Sequence, residues 1–243
     1  MTSRLACVLF LTSLAACGSS DNKTTDGGNG SGSGSAAQMI TITGTAKSNT
    51  GTSTSPLAGV AIGVYSNSDE TTAVGTTTSD TAGNWMLTVS TGGHALDGYI
   101  KGTVTGYIDS YLYPPVPLTA DFSGAALNIV TMQTYGLVST LCQGNQLDTN
   151  GGVAVEVVDA SAAPLAGATV SSTPAATKYC YNSGGSPNLP SGSATATATD
   201  GLGYMFNVTG QATVTATLSG KTFIAHKVNA RAGALTTTQI MAQ

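Results

Sequence analysis

The sequence predicts an all-β protein built from two tandem β-sandwiches. Three observations carry that prediction. Apolar residues recur with a period of 2 along short segments, the segments are punctuated by Gly, Pro, Asn and Asp, and one order of turn signatures occurs twice. No segment after the first 16 residues shows a sustained, capped apolar stripe of period 3.6, so helices are not expected in the body.

In the first copy the opening strand alternates at Ile40, Ile42, Gly44 and Ala46, followed by Val60, Ile62 and Val64 and then by Trp85, Leu87 and Val89. The second copy opens at Val153, Val155 and Val157 and alternates again at Ala212, Val214, Ala216 and Leu218. Thr76 to Thr78 and Thr195 to Thr199 are Thr-rich, and β-branched side chains pack well on a pleated surface.

The repeat is read from its turns. Pro56-Leu57-Ala58-Gly59-Val60 recurs 108 positions later as Pro164-Leu165-Ala166-Gly167-Ala168. Asp80-Thr81-Ala82-Gly83-Asn84-Trp85 is matched to Asp200-Gly201-Leu202-Gly203-Tyr204-Met205, and Gly124-Ala125-Ala126-Leu127 to Gly233-Ala234-Leu235. Pro fixes φ before a reversal, Gly59 and Gly167 accept φ > 0, and the Asp80 and Asp200 carboxylates are suited to bonding N–H groups of their own turns. Pro56, Gly59, Asp80, Gly83, Pro164, Gly167, Asp200 and Gly203 are therefore expected to be structural. The boundary falls near Gln133 to Leu141, giving domains over 38–134 and 135–243.

An opening apolar strand, a PLAG turn, a Thr-rich strand, an Asp-x-x-Gly-aromatic turn and a strand ending in Gly-Tyr make an order that resembles the carboxypeptidase regulatory-like or transthyretin-like domains. These are Ile40 to Ala46, Pro56 to Val64, Thr71 to Ser79, Asp80 to Trp85 and Tyr99 to Tyr107 in the first copy. The second follows through Pro164 to Val170 and Asp200 to Tyr204, but has Gly220-Lys221 where the first has Gly106-Tyr107. The resemblance implies seven-stranded Greek-key sandwiches of the prealbumin type.

The N-terminus reads as an address. Residues 1–16 carry Arg4, an apolar run from Leu5 to Leu11 and small residues beyond, the layout of a secretory signal and too short for the ~20 apolar residues of a membrane span. Leu14-Ala15-Ala16-Cys17 resembles the lipobox of bacterial lipoproteins. The resemblance implies that the Cys17 thiol becomes diacylglycerol-modified, that residues 1–16 are removed and that the new N-terminus is acylated. Gly18 after the Cys favours the outer membrane under the family's sorting rule. An ordinary secretory signal with a chance Cys is the alternative. Residues 17–37 are a Gly/Ser-rich tether, spanning roughly 25 Å as a flexible coil.

Of 243 residues only 8% are charged, the pI is about 4.8, and Thr alone contributes 39 side chains. Such a chain has no basic field for nucleic acid. His94 and His226 are its only histidines, which leaves little material for acid-base catalysis. Some transthyretin-like folds are enzymes, with two Tyr and two His on iron or with a His/Arg set and a C-terminal Tyr-Arg-Gly-Ser. Each copy here has one His and the chain ends Ile240-Met241-Ala242-Gln243, so neither set assembles. His94 and His226 occupy non-equivalent repeat positions and lack carboxylate partners for a shared metal. No cofactor is expected, nor is there a nucleophile elbow, zinc helix or phosphate loop.

Cys142 and Cys180 remain beyond the anchor, and an even pair in an exported chain reads as a disulfide, which would pin an insertion of about twelve residues against the first strand of the second copy. Two free thiols in redox or metal chemistry is the other reading. Tyr107, Tyr111 and Tyr113 share one face of an extended chain by their spacing, and they form either a binding face or the completion of a core. Tyr179 and Tyr181 in the insertion are a second such pair.

The expected protein is non-catalytic, anchored by lipid in the bacterial envelope, and acts as a structural, adhesive or protein-binding module. The alternatives are a carbohydrate or peptide receptor using the tyrosines, and an accessory subunit of a separate envelope enzyme or transporter. Its expected partners are the membrane, through the lipid, and an envelope protein or glycan.

Overall fold

The computed structural model describes residues 36–243; Cys17, the expected signal segment and the expected tether up to residue 35 lie outside the described residues. The first half forms β1 (Met39–Asn49), β2 (Thr54–Pro56), β3 (Ala61–Ser66), β4 (Asp69–Thr78), β5 (Asn84–Ser90), β6 (Gly98–Thr103), β7 (Ser110–Tyr113) and β8 (Phe122–Ile129). A helix, α1 (Met132–Cys142), precedes β9 (Gly151–Val158), β10 (Thr169–Thr173), β11 (Lys178–Asn182), β12 (Pro190–Ser191), β13 (Leu202–Val208), β14 (Gly210–Thr217), β15 (His226–Ala230) and β16 (Leu235–Met241). Setting aside the short β2 and β12, each half contributes seven strands to an all-β sandwich architecture.

In each half the first strand pairs parallel with the last, β1 with β8 and β9 with β16. The layers are β5–β1–β8 in the first half and β10–β14–β15 in the second. Their partners are joined in one nine-stranded sheet of order β12–β11–β13–β9–β16–β7–β6–β3–β4, because β7 and β16 pair in parallel across the halves.

The two cores lie on opposite faces of that sheet. Since side chains alternate along a strand, Leu112 of β7 points to the first core, with Ile40, Ile42, Ile62, Val64, Ile100, Leu127 and Ile129. Its neighbours Tyr111 and Tyr113 point to the second, with Val153, Val155, Met205, Val214 and Ile240. Full burial of such Ile, Val and Leu side chains contributes about 1.5–3 kcal/mol each.

A buried hydroxyl recurs at the turn of each copy. Ser79 Oγ donates to Leu57 O at 2.7 Å and accepts from Val60 N–H at 3.0 Å. Thr197 Oγ1 does the same with Leu165 O at 2.7 Å and Ala168 N–H at 2.9 Å. Both residues are buried, so these bonds satisfy backbone groups that water does not reach.

This node corrects the sequence alignment. Gly83 has φ +75° and a Cβ there would lie 2.5 Å from Ala46 O, whereas the residue with the same environment in the second copy is Gly201, with φ +69° and Val157 O at 2.5 Å. Gly203 lies inside β13, opposite Val155. Asp80 bonds the N–H groups of Ala82 and Asn84, but Asp200 bonds Leu202 N–H and turns its other oxygen to Asn182 and Asn188. The match of Leu127 to Leu235 also fails, since Leu127 pairs with Ala46 as Ile240 pairs with Val157.

Helix α1 departs from the expectation as well. Thr131 caps it, accepting from Thr134 N–H at 3.1 Å, and Gln143 ends it in the left-handed conformation. Its buried face is Thr134, Tyr135, Ser139 and Cys142, while Met132, Leu137 and Leu141 are exposed. That inverted polarity hides the helix from a search for an apolar stripe.

Ser79→Ala and Thr197→Val should each destabilise the fold by about 1–3 kcal/mol, because an unpaired buried group is left behind. Gly83→Ala and Gly201→Ala should cost more than Gly59→Ala, which shares their positive φ but has nothing within 4 Å. Urea unfolding of the five variants checks both orderings.

Candidate functional site

Tyr111 and Tyr113 stand on the sheet face opposite the first core, beside Tyr99 of β6 and Tyr65 of β3. The Tyr65 and Tyr99 rings stack at 5.3 Å, and Tyr99 lies 5.6 Å from Tyr111 and 5.3 Å from Tyr113. The second half supplies the centre of this cluster. The Arg231 guanidinium sits 4.2 Å from the centroids of both Tyr99 and Tyr111, bonds Glu70 at 2.8 Å and donates to Tyr113 Oη at 3.2 Å. Asn229 Nδ2 donates to both Glu70 oxygens at 3.1 Å, and its N–H to Tyr113 Oη at 3.2 Å.

A cation between two rings with a carboxylate beside it is a locked junction between the halves. Burial pushes the Tyr99 hydroxyl up to about 12 and raises Tyr113 as well. Tyr111 and Tyr113 are thus covered and offer no open platform. Tyr107 does not join them: extended chain starts only at Ser110, and Tyr107 packs towards the first core with its hydroxyl on Ser48 Oγ at 3.3 Å. The shared face inferred from spacing fails because the chain turns between Val104 and Ile108.

Tyr179 and Tyr181 are internal pegs. Strand β11 pairs with β13, whereas its counterpart β4 pairs with β3, so β10 has no strand partner on that side. Tyr181 Oη accepts from Val170 N–H at 2.9 Å, and Tyr179 Oη from Ala176 N–H at 3.1 Å and Ser172 N–H at 3.3 Å. The Cys142–Cys180 disulfide, with Cα atoms 5.6 Å apart, ties β11 to the end of α1 and not to the first strand. Asn182 and Asn188 fasten the rest of the insertion to Asp200 at 2.6 and 2.7 Å.

The histidines are separate in role. His94 is exposed in a turn, while His226 shares a 2.8 Å hydrogen bond between Nδ1 and Thr238 Oγ1 and meets Tyr113 edge-on. Among the described residues no three His, Cys, Asp or Glu side chains are grouped to hold a metal.

An open site lies on the other face of the long sheet. A groove of about 550 Å³ runs between β8 and α1. Its floor is the outward side of β13, β9, β16 and β7, where Tyr204, Ala154, Thr237 and Leu112 align in one row and Leu202, Glu156 and Gln239 in the next. Phe122, Ala125, Ala126 and Asn128 of β8 form one wall, and Tyr135 and Val138 of α1 contribute to the lining. Sequence reasoning missed both this groove and the junction. The one available signal was Arg231, the only arginine besides Arg4.

Arg231→Met should destabilise the chain by about 1.5–3 kcal/mol, and a double-mutant cycle with Glu70→Gln should show coupling in urea unfolding. Burial lowers the His226 pKa below its usual 6.5. The unfolded chain therefore binds this proton first, so stability present at neutral pH is lost as pH falls below the unfolded pKa of about 6.5 and through the lower folded one. His226→Gln should flatten that part of a stability-versus-pH profile.

No family model matches the chain, and no curated protein matches it. The chain is weakly similar to several solved structures, three of which follow. The Bacillus anthracis TIE protein is 12% identical, over 84% of this chain and 34% of that one, with a TM-score of 0.26; this chain thus spans about a third of it. The shaft pilin SpaA from Lactobacillus rhamnosus GG is 14% identical over 84% of this chain and 97% of its own, with a TM-score of 0.26. For the minor pilin GBS52 of Streptococcus agalactiae the values are 14%, 84%, 95% and 0.28. Superpositions at this level decide neither fold nor function.

Proposed function

We propose that the chain is a non-catalytic, lipid-anchored protein of the bacterial envelope whose β-sandwich body serves as a structural, adhesive or protein-binding module. The observation that carries this reading is the junction. Strand pairing between β7 and β16 and the Arg231 lock make one stiff body of the two halves, suited to holding a surface at a distance from the membrane and unsuited to closing on a substrate. The lipobox ending in Cys17 and the Gly/Ser-rich segment after it support the anchor, since several acyl chains on one residue hold a bilayer where a single chain binds marginally. The order of turns and strands supports a kinship of each half with transthyretin-like domains.

A sugar receptor built on the tyrosines has less support, because Tyr111, Tyr113 and Tyr181 are buried in packing. In cells expressing the full chain, radiolabelled palmitate should enter the wild type and not a Cys17→Ala variant. Equal labelling of the two would overturn the anchor.

A further inference from the structure

The long sheet carries two covers on the face that bears the groove. The layer β5–β1–β8 covers its β7–β6–β3 part, and α1 packs on β11 and β13 through Cys142, Cys180 and Phe206. The strip between them, centred on β16 and β9 and reaching β7 and β13, is the groove floor. Strand β8 borders it with an edge that has no strand partner among the described residues, since β8 pairs only with β1.

Proteins blunt such edges with charge or proline. Edge strands β4, β12 and β15 do so with Asp69 and Glu70, Pro190 and Lys227. Phe122–Ile129 has neither a charge nor a proline. Strands β5 and β10 share that lack, but neither borders the groove. From Ala125 to Ile129 the register of β8 is continuous, so this stretch of edge is regular. A strand laid ~4.8 Å from it would extend the layer β5–β1–β8 across the floor at the ~10 Å separation of packed sheets.

We propose that the groove is a strand-addition site, taking an extended segment of a partner protein that pairs with β8 along Ala125–Ile129. The proposal rests on the reading of the chain as a protein-binding module and names how it binds. A row of backbone N–H and C=O groups is matched by another polypeptide backbone and by no glycan or lipid. The floor sets the side chains: Ala154 and Thr237 leave room for residues at alternate positions, and Leu112, Leu202 and Tyr204 favour apolar ones. Glu156, which accepts from Gln239 Nε2 at 2.8 Å, is the only charged side chain in the lining. The segment therefore carries one Lys or Arg among its floor-facing residues.

The test uses two capped, fluorescein-labelled heptapeptides, Thr-Val-Thr-Lys-Thr-Val-Thr and its counterpart with Glu for Lys, titrated into the full chain by fluorescence anisotropy. Saturable binding of the Lys peptide is expected, weakened about ten-fold or more for the Glu peptide. Glu156→Lys should reverse that preference, and Ala154→Trp, which fills the floor, should abolish binding of both. New hydrogen-exchange protection should fall on Ala125–Ile129. Because the comparison of the two peptides uses one unaltered protein, it stands even where a variant fails to fold. No binding at millimolar peptide, equal binding of the two peptides, or protection confined to other strands would overturn the site. A small apolar dye that occupies the groove while neither peptide does would overturn it too. None of these failures touches the anchored-body reading, which is decided by palmitate labelling at Cys17.

Discussion

The rest of the structure depends on the parallel pairing of β7 with β16. It fixes Thr236 opposite Tyr111 and Thr238 opposite Tyr113, and so decides which face of the first half's sheet meets the second core. Once that register is set, Arg231, just before β16, falls between Tyr99 and Tyr111, and Glu70 on the edge strand β4 receives its charge. A slip of one residue in this pair would turn the tyrosines away from the second core and Leu112 towards it. The junction is thus specified by side chains from four strands of the first half and, in the second, from β15 and the loop that follows it.

Hydroxyl groups take the part that charges take in most proteins. Ser79 and Thr197 satisfy backbone groups within the turns, Tyr179 and Tyr181 satisfy the open side of β10, and Thr238 bridges Tyr113 O and His226. Neutral hydroxyls can be buried at lower desolvation cost than charges. That explains how a chain with 8% charged residues orders its interior while keeping Lys101–Asp109 and Arg231–Glu70 as ion pairs near the sheet.

Much of the strand pattern was legible in the sequence, because alternation at Ile40 and Ile42 or at Val153, Val155 and Val157 reports a one-sided burial that the fold keeps. The turn at Pro56 and its copy at Pro164 were legible for the same reason: their requirements are local. What escaped was non-local. Gly201 and not Gly203 matches Gly83 because a carbonyl from another strand presses on it, which no spacing reveals. The helix was hidden by its polar buried face. The spacing of the tyrosines left a binding face and a core both open, because their partner, Arg231, lies more than a hundred residues away in the chain. The groove exists only because two covers from different parts of the chain leave a strip bare.

Order of synthesis adds a temporal meaning to the β7–β16 pair. When the first half has been made, β7 is paired with β6 on one side and is an open sheet edge on the other, and Tyr99, Tyr111 and Tyr113 form an uncovered aromatic face. Both remain so until Arg231 and Leu235–Met241 have followed, more than a hundred residues later. Long-range parallel pairing is slow to form. The interval between the two halves is therefore the period in which a newly made chain is most open to pairing with the wrong strand, and its last strand acts as the closing stitch.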